Sequence, residues 1–275
     1  MFLFLWKWYN ERMTSTIAII FFVFGLIIGS FLNVVIYRFN TGRNFGGRSA
    51  CMSCKRTLSW YELIPVFSYL IQGGKCRGCK TRISFQYPLV ELLAGLIFLF
   101  LFLKFQNLFF IDIGSFAFTF AFFSSIFALL LVVSVYDLKH KIIPDILSFI
   151  FGALAFIGMF FFTDGIFNIH IPNMLAFMSG PILALPFALL WLISNGRWIG
   201  FGDAKLALGI GWLLGLSFGL SSLVLAFWMG AIVGIALLIL SKKHSMKSEV
   251  PFAPFMVIGL ILVFLFSINL FPILS

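Results

Sequence analysis

An all-α polytopic membrane protein of about eight transmembrane helices, with one cysteine-bearing loop between helices one and two, is the fold class that this sequence predicts. Three observations predict it. Apolar residues make up 62% of the 275-residue chain and charged residues only 10%, a balance foreign to an ordinary soluble domain. Apolar runs of spanning length recur from end to end. Lys and Arg are confined to alternate connections between those runs, as topology in a bilayer requires.

Taken in order, residues 1–15 (MFLFLWKWYNERMTS) form an aromatic, mildly charged lead-in. Span one, 16–37, runs straight into GSFLNVVIYR with no small-residue cleavage site, so it reads as a retained helix and not a removed signal peptide. A loop of about fifty residues, 38–87, leads to span two at 88–103. Six closely connected spans follow, at 115–136, 142–162, 173–194, 203–217, 219–241 and 253–272; the sixth of the eight is short and glycine-rich. The expected division is a lead-in (1–15), an amino-terminal domain (16–105) and a six-helix domain (106–275). Small residues at four-residue spacing (Gly25 and Gly29; Gly211, Gly215 and Gly219; Gly230 and Gly234) mark expected helix contacts, because close backbone approach holds helices together in lipid. No long-period repeat or low-complexity linker stands out.

The net charge of +10 invites a nucleic-acid reading, but its distribution argues against one. Nine of the 19 Lys and Arg residues lie between Arg38 and Arg82. Lys139, Lys141, Arg197, Lys205, Lys242, Lys243 and Lys247 fall in connections on the same face, which leaves only Lys7, Arg12 and Lys104 for the other. The positive-inside rule then puts the N-terminus outside and the cysteine loop in the cytoplasm. The lipid bilayer is the expected partner, and nucleic acid is not.

All four cysteines lie in that loop as C-x2-C-x21-C-x2-C: Cys51, Cys54, Cys76 and Cys79. The spacing fits a tetrahedral thiolate site, most often zinc. A cytoplasmic compartment keeps thiols reduced, which favours metal ligation over structural disulfides. The competing reading is a redox-active dithiol, since CxxC also lowers thiol pKa. The flanking basic residues serve as a topology determinant that also offsets thiolate charge.

Only nine acidic residues exist. Glu11, Asp112, Asp164 and Glu249 read as solvated surface, and Glu62 and Glu91 belong to the cysteine-loop region. Asp137, in SVYDLKHKIIPD, and Asp203, in GFGDAKL, sit at span ends on one membrane face. Ionisable groups there are costly unless paired or hydrated. Two carboxylates that meet share a proton and can hold a water for attack on an amide carbonyl. Taken singly, Asp203 would be a helix cap on the positive end of the dipole, and Asp137 a polar stop. Gly200 and Gly202 would let the backbone turn and a substrate strand approach. Lys205 occupies the last glycine position of a G-x-G-x-x-G string, which disfavours dinucleotide binding. Asp145, after Pro144, is expected to stabilise a helix start, with substrate positioning as its second role. His140, His170 and His244 are read as bystanders, and neither a G-x-S-x-G elbow nor an H-E-x-x-H helix occurs.

These strings together resemble the type IV prepilin peptidase family of GxGD-type membrane aspartic proteases, from about residue 24 to 256. The resemblance rests on GSFLNVVIYR, both CxxC pairs, SWYELIPVFSYL, GKCRGC, ISFQYPLVE, DLKHKIIPD, GFGDAKL and VPFAPFM. It implies cleavage of the basic leader of prepilins or pseudopilins on the cytoplasmic face of a bacterial membrane, with Asp137 and Asp203 as the catalytic pair. It also implies S-adenosylmethionine-dependent methylation of the new N-terminus, linked to the amino-terminal region, and zinc on the four cysteines. Among polar residues there, Ser30, Asn33 and Glu62 are candidates for cofactor contact that compete with plain polar packing. Ala253 departs from the family's PFGPF string, and Met13 is an alternative start to Met1. Two other classes compete: a membrane thiol oxidoreductase using the CxxC pairs, and a transporter using intramembrane acids. The first needs an oxidising face and the second needs acids nearer the bilayer midplane.

Overall fold

The computed structural model describes residues 2–42, 44, 46–163, 166–240 and 250–274, with side chains between residues 13 and 273. The readings of Lys7, Glu11, Arg12, Arg43, Asp164, Lys242, Lys243, His244, Lys247 and Glu249 lie outside the described side chains. The helices are α1 (Phe2–Arg38), α2 (Phe67–Ile71), α3 (Gln86–Ile111), α4 (Ile113–His140), α5 (Asp145–Phe161), α6 (Met174–Ser194), α7 (Phe201–Leu240) and α8 (Ala253–Phe266). A two-strand hairpin, β1 (Phe162–Thr163) with β2 (Ile166–Phe167), follows α5.

Among the described residues, five helices are long and apolar enough to cross a membrane: Met13–Arg38 within α1, and all of α3, α4, α6 and α7. The chain is a multi-pass membrane protein. Length and composition identify five of the expected spans outright, and the others differ from these for local reasons. At about 1.5 Å per residue, α5 with 17 residues is at the short end of spanning helices and α8 with 14 is shorter still, so length alone does not mark either as a span. Ser267 in a left-handed conformation ends α8 well before residue 272. Expected spans six and seven are the two halves of the continuous range α7, separated by a break at Gly215 with φ 76° and ψ −179°. A Cβ built on Gly219 would lie 3.6 Å from the Gly211 Cα. Residues eight apart in a straight helix are separated by about 12 Å, so the chain doubles back at Gly215. Only glycine adopts that backbone without strain.

The chain packs as two compact units, Met1–Ser124 and Ser125–Ser275, which divide within α4. In the first, α1 packs on α3. A Cβ on Gly25 would meet the Ala94 carbonyl oxygen at 2.7 Å, and one on Gly29 would meet the Glu91 Cα at 2.7 Å, so the two backbones touch. Phe21 stacks on Phe102 at 4.8 Å and meets Phe116 and Phe120, an aromatic cluster that uses part of the chain's phenylalanine excess.

In the second unit, α7 packs against α5, α6 and α8. Gly211 lies on the Ser179 and Gly180 backbone, and the Ser179 hydroxyl donates to the Gly211 carbonyl at 2.8 Å. Gly259 of α8 lies on the Ser222 carbonyl. The far end of α8 is tied down by the Ser217 hydroxyl, which reaches the Phe271 carbonyl at 2.7 Å, and by Leu270 N–H, which donates to Ser221 Oγ at 2.9 Å. Thus Gly25, Gly29, Gly211 and Gly219 make close contacts as their spacing implies. Gly215 is a turn instead, Gly230 makes only ordinary contact with Phe255, and Gly234 faces open space.

Replacing Gly211 by Val forces its side chain into the Ser179 backbone, since a Cβ there comes within 2.5 Å of that carbonyl. The expected cost is about 1–3 kcal/mol of overpacking, read as a lower thermal unfolding midpoint of the purified protein. Gly234→Val should leave the midpoint near that of the parent.

Candidate functional site

Three helix ends converge in the second unit. Asp137 occupies the last turn of α4, where Lys141 N–H bonds its carbonyl at 2.7 Å and Lys141 takes the left-handed conformation that closes the helix. Ile142 to Pro144 lie outside any helix, Pro144 with extended backbone, and α5 starts at Asp145. Asp203 lies in the first turn of α7. Both carboxylates are buried, Asp137 at 5% exposure and Asp203 at 8%, and Asp203 lies within reach of the charge on Asp137. The third end is the start of α8. Its first residue, Ala253, is fully buried and donates its N–H to Asp137 Oδ2 at 3.2 Å. Phe252, the residue before it, is wedged against Phe227 and Phe187 with centroids 4.9 and 6.3 Å away. Two acids and a helix N-terminus thus share one buried spot, an arrangement able to hold and activate a water.

Around this pair the neighbouring residues divide by what they touch. Neither Gly200 nor Gly202 has positive φ, so the turn before α7 does not need glycine for its backbone angles. Space is the constraint at Gly202: a Cβ would sit 2.7 Å from the Ile143 Cβ. The same Cβ at Gly200 would lie 3.6 Å from Asp203 Oδ2, beside the carboxylate. Asp145 and Lys205 pair with each other at 2.6 Å across α5 and α7, and Lys205 also lies 5.1 Å from the Phe201 ring centroid. Asp145 is exposed, so this pair contributes little energetically.

In the first unit the four cysteine sulfurs lie within 4.8 Å of one another, and Cys51 Sγ and Cys79 Sγ are 3.8 Å apart. Tetrahedral zinc with bonds of about 2.3 Å requires sulfurs about 3.8 Å apart, so the donor set fits. Two matched turns supply the ligands. Cys51 N–H bonds the Arg56 carbonyl and Lys55 N–H bonds the Cys51 carbonyl; Cys76 with Thr81 and Lys80 repeats both bonds. Lys55 and Lys80 each have φ 60°, and isolated bridges Ala50–Thr57 and Lys75–Arg82 close each turn. The thiols form one four-sulfur cluster and not two separate dithiols, which leaves the oxidoreductase reading without a structural basis.

Arg56 of the first turn forms a 2.6 Å ion pair with Glu62, whose other oxygen accepts Ser59 N–H at 2.9 Å. The Ser59 N–H and then the Arg56 guanidinium hold the Glu62 carboxyl below its usual range.

Sequence reasoning singled out Asp137, Asp203 and the four cysteines, and each set is brought together. It missed the Ala253 N–H on Asp137. The signal available was a PFAPF string opening an apolar run, the mark of a helix start with Pro in its first turn. It also missed the internal likeness of ACMSCKRT (50–57) and KCRGCKTR (75–82), which is visible only when the CxxC strings are aligned on each other.

Residues 23–105 match the family model described as the bacterial peptidase A24 N-terminal domain, and residues 124–235 match that of the type IV leader peptidase family. Similar curated proteins include the prepilin leader peptidase/N-methyltransferase of Bacillus subtilis, 33% identical over 90% of this chain and 94% of that protein. The protein of the same name from Myxococcus xanthus is 34% identical over 84% of this chain and 66% of its own length. That from Pseudomonas aeruginosa is 31% identical over 86% and 85%. No solved structure matches the chain.

Glu62→Gln removes the charge that Arg56 faces, and the cysteine loop should then be cut faster by trypsin, read as the rate of loop cleavage by mass spectrometry. A depressed carboxyl stabilises the fold above its unfolded pKa of about 4.3 and loses that stabilisation as pH falls through the lower folded value. The parent loop should therefore keep its protection at neutral pH and lose it below about pH 4, assayed with an acid-active protease.

Proposed function

The chain belongs to the type IV leader peptidase family, and from that premise we propose that it removes the leader of type IV prepilins or pseudopilins and methylates the new N-terminus. The observation that carries the peptidase reading is the meeting of buried Asp137 and Asp203 with the Ala253 N–H. Two acids so close hold one proton between them. The ionised member takes a proton from water as the water oxygen bonds to the scissile carbonyl carbon. The protonated member gives its proton to the carbonyl oxygen. Collapse of the tetrahedral intermediate then breaks the C–N bond: one gem-diol hydroxyl returns its proton to the aspartate that protonated the carbonyl oxygen, and the leaving amine takes up the proton held since the water attack. No covalent acyl-enzyme forms.

The Ala253 N–H holds the Asp137 carboxylate in one orientation. Gly200 leaves the Asp203 carboxylate uncrowded for an extended substrate strand, Gly202 seats α7 on Ile143, and the Asp145–Lys205 pair ties the start of α5 to α7. The distribution of Lys and Arg puts the N-terminus outside and this chemistry at the cytoplasmic face of the bacterial membrane. We assign the peptidase to residues 106–275 and methyl transfer to residues 16–105.

Zinc on Cys51, Cys54, Cys76 and Cys79 would cross-link the two turns of the loop and act structurally, since four protein thiolates leave no open coordination position. S-adenosylmethionine would supply the methyl group as an electrophilic carbon on a sulfonium.

Co-expression with a prepilin, followed by mass spectrometry of its N-terminus, tests the peptidase. Asp137→Asn and Asp203→Asn should each lower leader removal by about 10³-fold or more while the protein still accumulates in the membrane; normal cleavage by either variant would sink the dyad. Elemental analysis of the purified chain should find about one zinc per protein. Cys76→Ser, at the most buried of the four thiols, should lose most of that metal together with folded protein.

A further inference from the structure

A cavity of about 440 Å³ lies in the first unit, between the cysteine loop and helices α1 and α3. That volume falls in the range of small-molecule sites, about 300–1,000 Å³. Its wall includes Ser30, Asn33 and Tyr37 of α1, Glu62 of the loop, and Tyr87 and Glu91 of α3. None of these groups takes part in the aspartate chemistry or ligates the metal cluster.

Three features point to a ligand. Glu91 is buried, and its partners are neutral: Val66 N–H at 2.7 Å and the Ser30 hydroxyl. It meets no cation among the described residues. A carboxyl buried among neutral donors is costly to ionise, and a positive charge in the space it faces would offset that cost. Asn33 is 2% exposed and its Nδ2 donates to the Tyr87 carbonyl at 3.0 Å, while its Oδ1 has no partner. An orphaned buried acceptor is costly, and a ligand N–H would satisfy it. Tyr37 and Tyr87 stack at 4.8 Å with planes 11° apart, giving aromatic surface that suits a flat base or a cation.

The loop is built onto this carboxylate at a cost. Val66 has φ 62° and ψ −52°, a conformation that a β-branched residue rarely adopts, and its N–H points to Glu91. Exposed Arg48 and Arg82 also line the cavity, where they can meet a ligand carboxylate. A buried carboxyl, a free acceptor, aromatic surface and peripheral cations together suit a ligand that carries a positive charge, a carboxylate and a flat, amine-bearing base.

We infer that this cavity binds S-adenosylmethionine, with Glu91 facing its cationic part and Asn33 Oδ1 accepting from an amine of the ligand. The inference rests on the methyl-transfer reading above and goes beyond it by assigning the site.

The test uses tritiated S-adenosylmethionine and the purified full-length chain. Equilibrium dialysis should show saturable binding to the parent, about tenfold weaker with Glu91→Gln and with Asn33→Leu. Thermal unfolding of each variant checks that it is folded. Ultraviolet cross-linking of the same ligand to the parent, followed by peptide mapping, needs no variant and should label peptides within residues 30–91. Parent-like binding by both variants, or label confined to residues 125–275, overturns the inference. The same preparation is assayed for leader removal and methylation. A chain that cleaves and methylates but carries its label elsewhere loses this site and keeps its function. A chain that cleaves yet neither methylates nor binds the ligand loses both the site and the methyl-transfer reading, and keeps the peptidase.

Discussion

Backbone contact between small residues is the constraint on which the second unit depends. Lipid offers no hydrophobic reward for bringing apolar helices together, so association relies on dispersion at close range and on hydrogen bonds. Gly211 on Ser179 and Gly180, and Gly259 on Ser222, bring backbones into contact, and Ser179 adds a hydrogen bond across the first seam. The reversal at Gly215 lets both halves of α7 join that packing. The first half carries Asp203 at its start, and the second half packs along α8, whose own start carries Ala253. Glycine packing some distance away therefore helps set where Asp203 and the Ala253 N–H lie.

The two aspartates occupy electrostatically different helix ends. Asp203 stands at the N-terminus of α7, where the helix dipole favours a negative charge. Asp137 stands at the C-terminal end of α4, where the dipole of its own helix opposes one. The N-terminus of α8 offsets that opposition by directing the Ala253 N–H at Asp137 Oδ2. In the proposed mechanism, unequal surroundings for the two carboxylates would separate their roles as acid and base. The short α8 gains meaning in this light, since its first turn matters at least as much as its length.

In the amino-terminal unit the same economy applies to a different chemistry. Two copies of one turn bring four sulfurs together, and the Arg56–Glu62 pair ties the first of them to the segment beyond it. Glu91 then ties that segment to α3 through the strained Val66. A loop of high positive charge is in this way held by two buried carboxylates, and a cavity remains between the loop and the helices.

Much of this was legible in the residues themselves. Composition and run length specify a polytopic helical protein because twenty-odd apolar residues have few other stable fates. CxxC spacing specifies a thiolate cluster because the chain can fold only so tightly between ligands. The rarity of acids drew attention to Asp137 and Asp203. Tertiary structure alone decided the rest. Gly215 fits the small-residue spacing of a helix contact as well as it fits a turn, and only the packing of Gly219 against Gly211 tells the two apart. Ala253 carries no chemistry in its side chain; its role lies in a backbone N–H whose target, Asp137, is more than a hundred residues away. In the sequence Asn33 fits polar packing as well as cofactor contact, and Glu91 reads only as part of the cysteine-loop region, until the fold encloses both around a cavity, because burial and unsatisfied hydrogen bonding are properties of surroundings and not of sequence.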